Sequence, residues 1–478
     1  MDTASIQFIF FGLVVAIVSN FNRSPVWRSF VLSLASFVFL GLLAPHAVVL
    51  LPLIGFLLLC YAGIAIQRPG RPTLMAASIL TVVFVYIWLK KYAFLPNSIL
   101  IRSPYLTLGL SYIFFRVLHV LIEAGDNERN HRVGLGPYLV YALNFTTFVS
   151  GPIQRFDEFA QDQFTRQPLP LGPRIVGLQL ERIVRGFFKV SALAMLFDII
   201  RLDALAEMSQ PVPTWLKVFA AFRLSVVYPL FLYANFSGYI DIVIALARLM
   251  RLRLPENFDR PFSASSFIDF WSRWHITLST WLKSYVYNPL LVALMRRVSS
   301  RSAQEFVGAF SLFVTFFLVG VWHGRTSAFV FFGVLQGGGV AINKIWQLAL
   351  ISTFGRTRYR TLAANPIYVA FSRGLTFSWF AFTLFWFWAG WSQIEKIYLT
   401  LSVMQWLGVW LTVWLCGTAA LALWEALRTE LLSITSSKIP VLASRYARVV
   451  YASALGWGAL VLTVLLSQPV PDIVYKVF

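Results

Sequence analysis

Long apolar runs separated by short polar turns set the pattern of this chain. A helix that crosses a bilayer requires about 20 predominantly apolar residues, within a range of roughly 17–25. Runs near that length fall at roughly 6–20, 29–44, 47–66, 74–94, 104–123, 136–152, 176–200, 214–234 and 238–250. After a polar-aromatic block they resume at roughly 304–322, 326–348, 374–391, 397–424 and 450–467. The shorter runs suit re-entrant or interfacial helices, so the pattern predicts on the order of 11–13 true spans. No fixed-period repeat and no low-complexity linker interrupts it. The expectation is one all-α, multi-pass membrane domain over residues 1–478, unusual mainly in the stretch at roughly 250–325.

The charges between the runs suggest an orientation. Met1–Ser5 carries Asp2 and no basic residue, and Arg23 follows the first apolar run. A cleaved signal peptide has the opposite flank order, so an uncleaved first helix with its N-terminus outside is expected. Loops on the cytoplasmic side collect Lys and Arg. This places Arg23, Arg28, Arg68, Arg71, Arg129 and Arg132 inside and the Pro45–His46 turn outside. Arg428, Lys438, Arg445 and Arg448 crowd one inside loop, with the C-terminal SQPVPDIVYKVF outside. Lys90, Lys91 and Arg102 fall on the outer side and strain the scheme.

Composition agrees with a membrane protein. The chain is 58% hydrophobic and 13% charged, against roughly 45–50% and 25% in soluble domains. That excludes a disordered chain, a collagen-like fibre, a disulfide scaffold and an ordinary soluble enzyme. The net charge of +20 would suggest nucleic acid in a soluble protein, but no basic stretch accompanies a nucleic-acid-binding module. Membrane topology and contact with anionic lipid headgroups account for it better. Cys60 and Cys416 both sit in apolar runs without CxxC or Cys/His spacing, so neither a metal nor a redox centre is expected.

Few residues could carry chemistry. His323 ends an apolar run that is free of charge from Phe306 to Trp322, bracketed by Gly320 and Gly324. An ionisable group there faces a bundle interior or a cavity. A neutral imidazole is a good general base, and a hydrogen-bonded structural histidine fits the position equally well. His275 lies in FWSRWHITLSTWLK. Read as one helix, Trp271, Trp274, His275, Leu278, Trp281 and Leu282 share a face, with Ser272, Arg273, Thr277, Thr280 and Lys283 opposite. His119, with Arg116 and Glu123 on the same helical face, reads as structural pairing. His46 and His131 read as loop residues. Asn235 and Asp241 could line a polar cavity, or Ser237 or Asp241 could cap a helix at a break marked by the glycine beside Ser237. Arg155, after the Gly151–Pro152 break, could hold an anion or pair with Asp157 or Glu158. No GxGxxG after a strand, Walker A, GxSxG or HExxH motif occurs.

Five segments occur together and in order: SGPIQR from Ser150, NFSGYIDI from Asn235, LPENFDRPF from Leu254, FWSRWHITLSTWLKSYVYNPL from Phe270, and GVWHG from Gly320. In combination they resemble the membrane-bound O-acyltransferase (MBOAT) family. The resemblance covers a motif core at about 100–350 and is to the bacterial branch, which modifies teichoic acid, alginate or peptidoglycan. It implies an all-α polytopic fold with re-entrant or interfacial amphipathic helices around a central tunnel. His323 is then the catalytic histidine, and His275 the second recurrent histidine, supporting the tunnel or the donor. Trp322, Trp274, Asn257, Asn235, Asp241, Arg155 and Gln336 would line the substrate path. Some relatives carry a further histidine where this chain has Gln336, which can hydrogen-bond but cannot take a proton at neutral pH. The family implies no tightly bound cofactor. Its acyl thioester donor, on an acyl carrier protein's phosphopantetheine or on acetyl-CoA, is a substrate. It also implies an extracytoplasmic delivery partner, an acceptor hydroxyl on an envelope glycan and a place in the bacterial cytoplasmic membrane.

Two rival classes remain at this point. A transporter or flippase suits intramembrane His and Arg, but predicts paired half-repeats with broken helices in corresponding positions. A non-catalytic scaffold of an envelope complex predicts that His323 is dispensable.

Overall fold

The computed structural model describes residues 5–125, 133–437 and 444–466. The sequence readings placed on Asp2, Arg129, His131, Arg132, Lys438 and the C-terminal dodecapeptide lie outside the described residues. The described chain is helical. Its one β-type pairing is an isolated antiparallel bridge between Phe258 and Trp274.

Among the described residues, eight helices are long and apolar enough to cross a membrane: Pro25–Leu43, Ala47–Ile66, Pro72–Leu89, Thr214–Leu249, Ala303–His323, Ser327–Ala364, Val403–Glu430 and Arg445–Leu466. That is fewer than the apolar runs suggest. The runs expected at 214–234 and 238–250 form one continuous 36-residue helix. The run at 104–123 yields a 14-residue helix, Leu110–Glu123, in which every residue from Leu110 to Leu121 is buried. The run at 136–152 becomes two short helices, Leu135–Ala142 and Phe145–Phe148. The run at 176–200 is an amphipathic helix, Pro173–Phe188, a π-helical turn, Lys189–Ala194, and a further helix, Met195–Ser209. In such segments apolar residues face protein, not lipid, and hydropathy alone does not separate the two solvents.

By the density of its internal contacts the chain forms two compact units. One comprises the residues up to Val190 with Phe236–Glu256. The other comprises Ser191–Asn235 with the residues from Asn257 onward. Thr214–Leu249 therefore contributes its first part to the second unit and its last part to the first.

Within the first unit, several basic residues expected in loops are buried. Arg28 is 2% exposed, with its guanidinium donating to the carbonyls of Asp162 and Thr165 at 2.9 and 2.7 Å. Lys90 folds back to donate to Ser111 Oγ at 2.6 Å, and Lys91 lies over the Tyr105 ring. These contacts hold Lys90, buried, and Lys91, half-buried, against the protein. In the second unit, the helices Arg301–His323 and Ser327–Ala364 form an antiparallel hairpin. Gly320 makes their contact possible, since a Cβ there would overlap the backbone of Gly333.

Candidate functional site

The second unit holds the histidine site. His275 does not lie within a helix, contrary to the single amphipathic helix expected over this stretch. Phe267–Arg273 starts at Ser266, whose Oγ accepts the Asp269 N–H at 3.1 Å. It ends before Trp274, and a new helix, Ile276–Leu282, begins after His275. His275 takes a left-handed conformation (φ 48°, ψ 53°) at the junction, a region that His tolerates better than most residues.

Asn257 holds this junction in place. Its backbone carbonyl accepts the Ile276 N–H at 3.0 Å. Its side-chain Oδ1 accepts the Thr277 N–H at 3.1 Å and the Thr277 hydroxyl at 2.9 Å. The adjacent Asp259 N–H donates to the Arg273 carbonyl at 3.0 Å. The PENF segment thus clasps both sides of the RWH turn. Thr277, assigned by helical spacing to the polar face, is buried. The break at His275 divides the expected helix, yet Trp271, Trp274, His275, Leu278, Trp281 and Leu282 are all buried as the apolar face required, and Thr277 alone departs from the polar side.

His275 and Asn257 are both 0% exposed. Burial pushes the His275 imidazole pKa down to about 3, partly offset by a hydrogen bond to its own backbone, so the ring is neutral near pH 7. His323 is the last residue of Arg301–His323, and Gly324 leaves the helix in extended conformation. Its ring packs 4.6 Å from Trp322, 5.1 Å from Phe387 and 6.2 Å from Phe332, between centroids. The His275 ring stands edge-on to the same Trp322, at 6.1 Å and 72°. The two histidines, about 50 residues apart in sequence, are thus gathered on one indole. Aromatic walls of this kind keep water out.

Trp274 belongs to a neighbouring aromatic cluster with Phe258, Phe270 and Phe380, at centroid distances of 5.1, 5.6 and 5.1 Å. Gln336 is fully buried on Ser327–Ala364 and donates to Thr383 Oγ1 at 2.8 Å. Asn235 is fully buried in the continuous helix Thr214–Leu249. That continuity removes the cap reading for Ser237 and Asp241.

The first unit contains the remaining candidates. Asp241 is the centre of an ion-pair cluster that the sequence reading missed. Its carboxylate accepts from Arg182 Nε at 2.8 Å and Lys189 Nζ at 2.8 Å, with Arg185 Nε at 3.6 Å. Arg182 also pairs with Glu256. Burial works against the Arg182 charge, but Glu256 and Asp241 outweigh it and raise its pKa. The signal was present as basic residues 182, 185 and 189, which share one face of an amphipathic helix at i, i+3 and i+7. The helices meet where Gly186 faces Gly238, and a Cβ on either would come within 2.6–2.7 Å of the other's carbonyl oxygen. Arg155 caps Phe156–Gln163 as its preceding residue and is half-buried.

His119 and Arg116 are both buried and held by hydrogen bonds to neighbouring segments. His119 Nε2 accepts the Phe156 N–H at 3.1 Å. The proton therefore resides on Nδ1, which donates to the Phe115 carbonyl at 3.2 Å. Arg116 donates to the Tyr141 carbonyl and the Thr147 hydroxyl.

Among the described residues, eight membrane-length helices mark a multi-pass membrane protein, and two buried histidines meeting on one tryptophan give it an imidazole-bearing site. Residues 36–387 match the family model described as MBOAT, membrane-bound O-acyltransferase family, and the chain belongs to that family. It is similar to the teichoic acid D-alanyltransferase of Streptococcus thermophilus, at 32% identity over 50% of this chain and 57% of the relative. It is similar to a probable alginate O-acetylase of Pseudomonas syringae pv. tomato, at 30% identity over 50% of this chain and 43% of the relative. It is also similar to the peptidoglycan O-acetyltransferase of Helicobacter pylori, at 29% identity over 44% and 38%. The chain spans about half the length of the curated relatives it matches.

Proposed function

We propose that this protein is an O-acyltransferase that moves a D-alanyl or acetyl group from a cytoplasmic thioester donor to a hydroxyl of an extracytoplasmic envelope polymer. The observation that carries the reading is His323, buried among Trp322, Phe332 and Phe387 inside the family-matched segment. His323 takes the proton of the acceptor hydroxyl as its oxygen attacks the thioester carbonyl. A C–O bond forms, the C–S bond breaks, and the proton passes from the imidazole to the departing thiolate. Trp322 and its aromatic neighbours exclude the water that would hydrolyse the thioester. His275, neutral and locked behind Trp322, is a positioning residue: it fixes the indole against which His323 packs.

The donor is carried by an acyl carrier protein or by CoA, and basic cytoplasmic loops favour an acidic carrier. An extracytoplasmic partner completes delivery, and the membrane is the bacterial cytoplasmic membrane. D-Alanine and acetate stand equally, because the relatives named above include a D-alanyltransferase and O-acetyltransferases.

Mass spectrometry of envelope polymers from cells with and without the gene, and with His323→Ala, tests the reading. Loss of one acyl ester in both altered strains is expected. General-base removal lowers transfer by about 10²–10⁴-fold. Undiminished acylation in His323→Ala cells with the protein present in the membrane refutes the base assignment and favours a scaffold. Unchanged esters with altered polymer export favour a transporter.

A further inference from the structure

Gln336 and Trp271 present an unmatched acceptor and donor in the core of the second unit. Thr383 Oγ1 gives its own proton to the Phe380 carbonyl at 2.9 Å. Toward Gln336 it can therefore only accept, which fixes the amide with Nε2 on Thr383 and leaves Oε1 on the other side. Gln336 is 0% exposed, and among the described residues Oε1 has no hydrogen-bond partner. Trp271 is 2% exposed, and its indole N–H likewise finds no acceptor among the described residues. A buried polar atom left in this state is destabilising. Leucine and phenylalanine would fill the same volumes without that cost.

Both groups lie on the same side of His323, within about 15 Å of it along the hairpin. The Trp271 ring packs 5.1 Å from Phe316, seven residues before His323, or about 10 Å along the helix. A Cβ on Gly337 would lie 2.5 Å from the Phe313 carbonyl, which places the Gln336 backbone about 15 Å from the His323 level. Helical side chains lean toward their own N-terminus. For Ser327–Ala364 that is the His323 end of the hairpin, so the Gln336 amide returns toward the level of Trp271. Phe267 against Gly339, and the Ile268 N–H on Asn343 Oδ1 at 3.2 Å, lay Phe267–Arg273 along the same helix.

A pantetheine thioester offers a matching group. Eight bonds separate its acyl carbon from its second amide nitrogen, about 10 Å when extended. We propose that Trp271 and Gln336 bind that second amide, with the indole N–H donating to its carbonyl and Gln336 Oε1 accepting its N–H. The inference rests on the acyl-transfer reading and assigns the donor's pantetheine arm to a specific pair of side chains.

Two non-reactive thioethers test it on the full-length protein in detergent. S-Acetonyl-pantetheine carries both amides, and S-acetonyl-N-acetylcysteamine carries only the first. Titration calorimetry gives Kd for the first probe, and competition against it gives Kd for the second. Wild-type protein should bind the pantetheine probe more tightly. Gln336→Leu and Trp271→Phe should each reduce that preference about three- to tenfold, with binding of the short probe unchanged. The short probe also reports whether the variants remain folded. Equal weakening of both probes, or an unchanged preference, overturns this inference while leaving acyl transfer standing. Wild-type protein that neither binds the pantetheine probe nor transfers from any thioester overturns the acyl-transfer reading, and this inference with it.

Discussion

Replacing Asn257 with leucine should both destabilise the second unit and impair transfer, although Asn257 contacts neither His323 nor Trp322 in any interaction described above. The substitution keeps the volume but removes the acceptor for the Thr277 N–H and hydroxyl, now at 3.1 and 2.9 Å. Thr277 is 6% exposed, so water does not readily replace Asn257. Loss of a helix-capping interaction costs about 1 kcal/mol. A buried donor left unsatisfied costs about 1–3 kcal/mol, and the two effects overlap. A net loss of about 1–3 kcal/mol corresponds to a melting shift of roughly 3–10 °C for a unit of this size. Asn257→Asp separates acceptor loss from other effects, because the carboxylate can still accept both bonds. The Nδ2 group it forfeits has no hydrogen-bond partner among the described residues. Thermal unfolding in detergent, followed by tryptophan fluorescence, should rank wild type above Asn257→Asp and Asn257→Leu lowest. Acyl transfer should follow the same order, because the left-handed turn at His275 loses its support. A leucine variant that melts within about 2 °C of wild type and transfers normally would refute the reasoning.

Asp241→Ala should lower stability by about 1–3 kcal/mol, because it removes the carboxylate that Arg182, Arg185 and Lys189 share, while Arg182 keeps its bonds to Glu256; a lower melting temperature, partly restored by adding Lys189→Met, checks it. Gly238→Ala should cost about 1–3 kcal/mol through overlap with the Gly186 carbonyl, visible as reduced folded yield by fluorescence-detected size exclusion. Stability should also fall on acidification. The His275 pKa is about 3 in the folded protein and about 6.5 unfolded. Its contribution is therefore complete above pH 6.5 and is lost as pH falls toward 3, at up to about 1.4 kcal/mol per pH unit. His275→Gln should flatten that part of a melting-temperature profile, and an unchanged slope would exclude His275 as its source.

Much of the fold was readable from the chain. Apolar runs without charge state that the solvent is lipid or protein interior, and they do so locally. The order of the SGPIQR, NFSGYIDI, PENF, RWH and WHG segments pointed to the family and to His323 and His275. The hydrophobic pattern did not reveal which runs face lipid. Leu110–Leu121 is as apolar as a span and is buried in protein along its whole length. Nor did it reveal the break at His275. The conformation there is imposed by Asn257, nearly 20 residues earlier, through hydrogen bonds that no helical periodicity encodes. Asp241 appeared free to line a cavity until the Gly186–Gly238 contact brought three cations onto it.

The sequence by itself determined the solvent, the residue types available for proton transfer and the family, because each depends on local composition or on residues in register along the chain. Tertiary structure alone decided which polar groups are satisfied and which remain open. Trp322 collects two histidines, one at a helix end and one at an inter-helix turn, and Thr383 turns the Gln336 amide by using up its own proton. Hydrogen bonds and ring contacts act over a few ångströms of space, and the separation of residues along the chain carries no record of that distance.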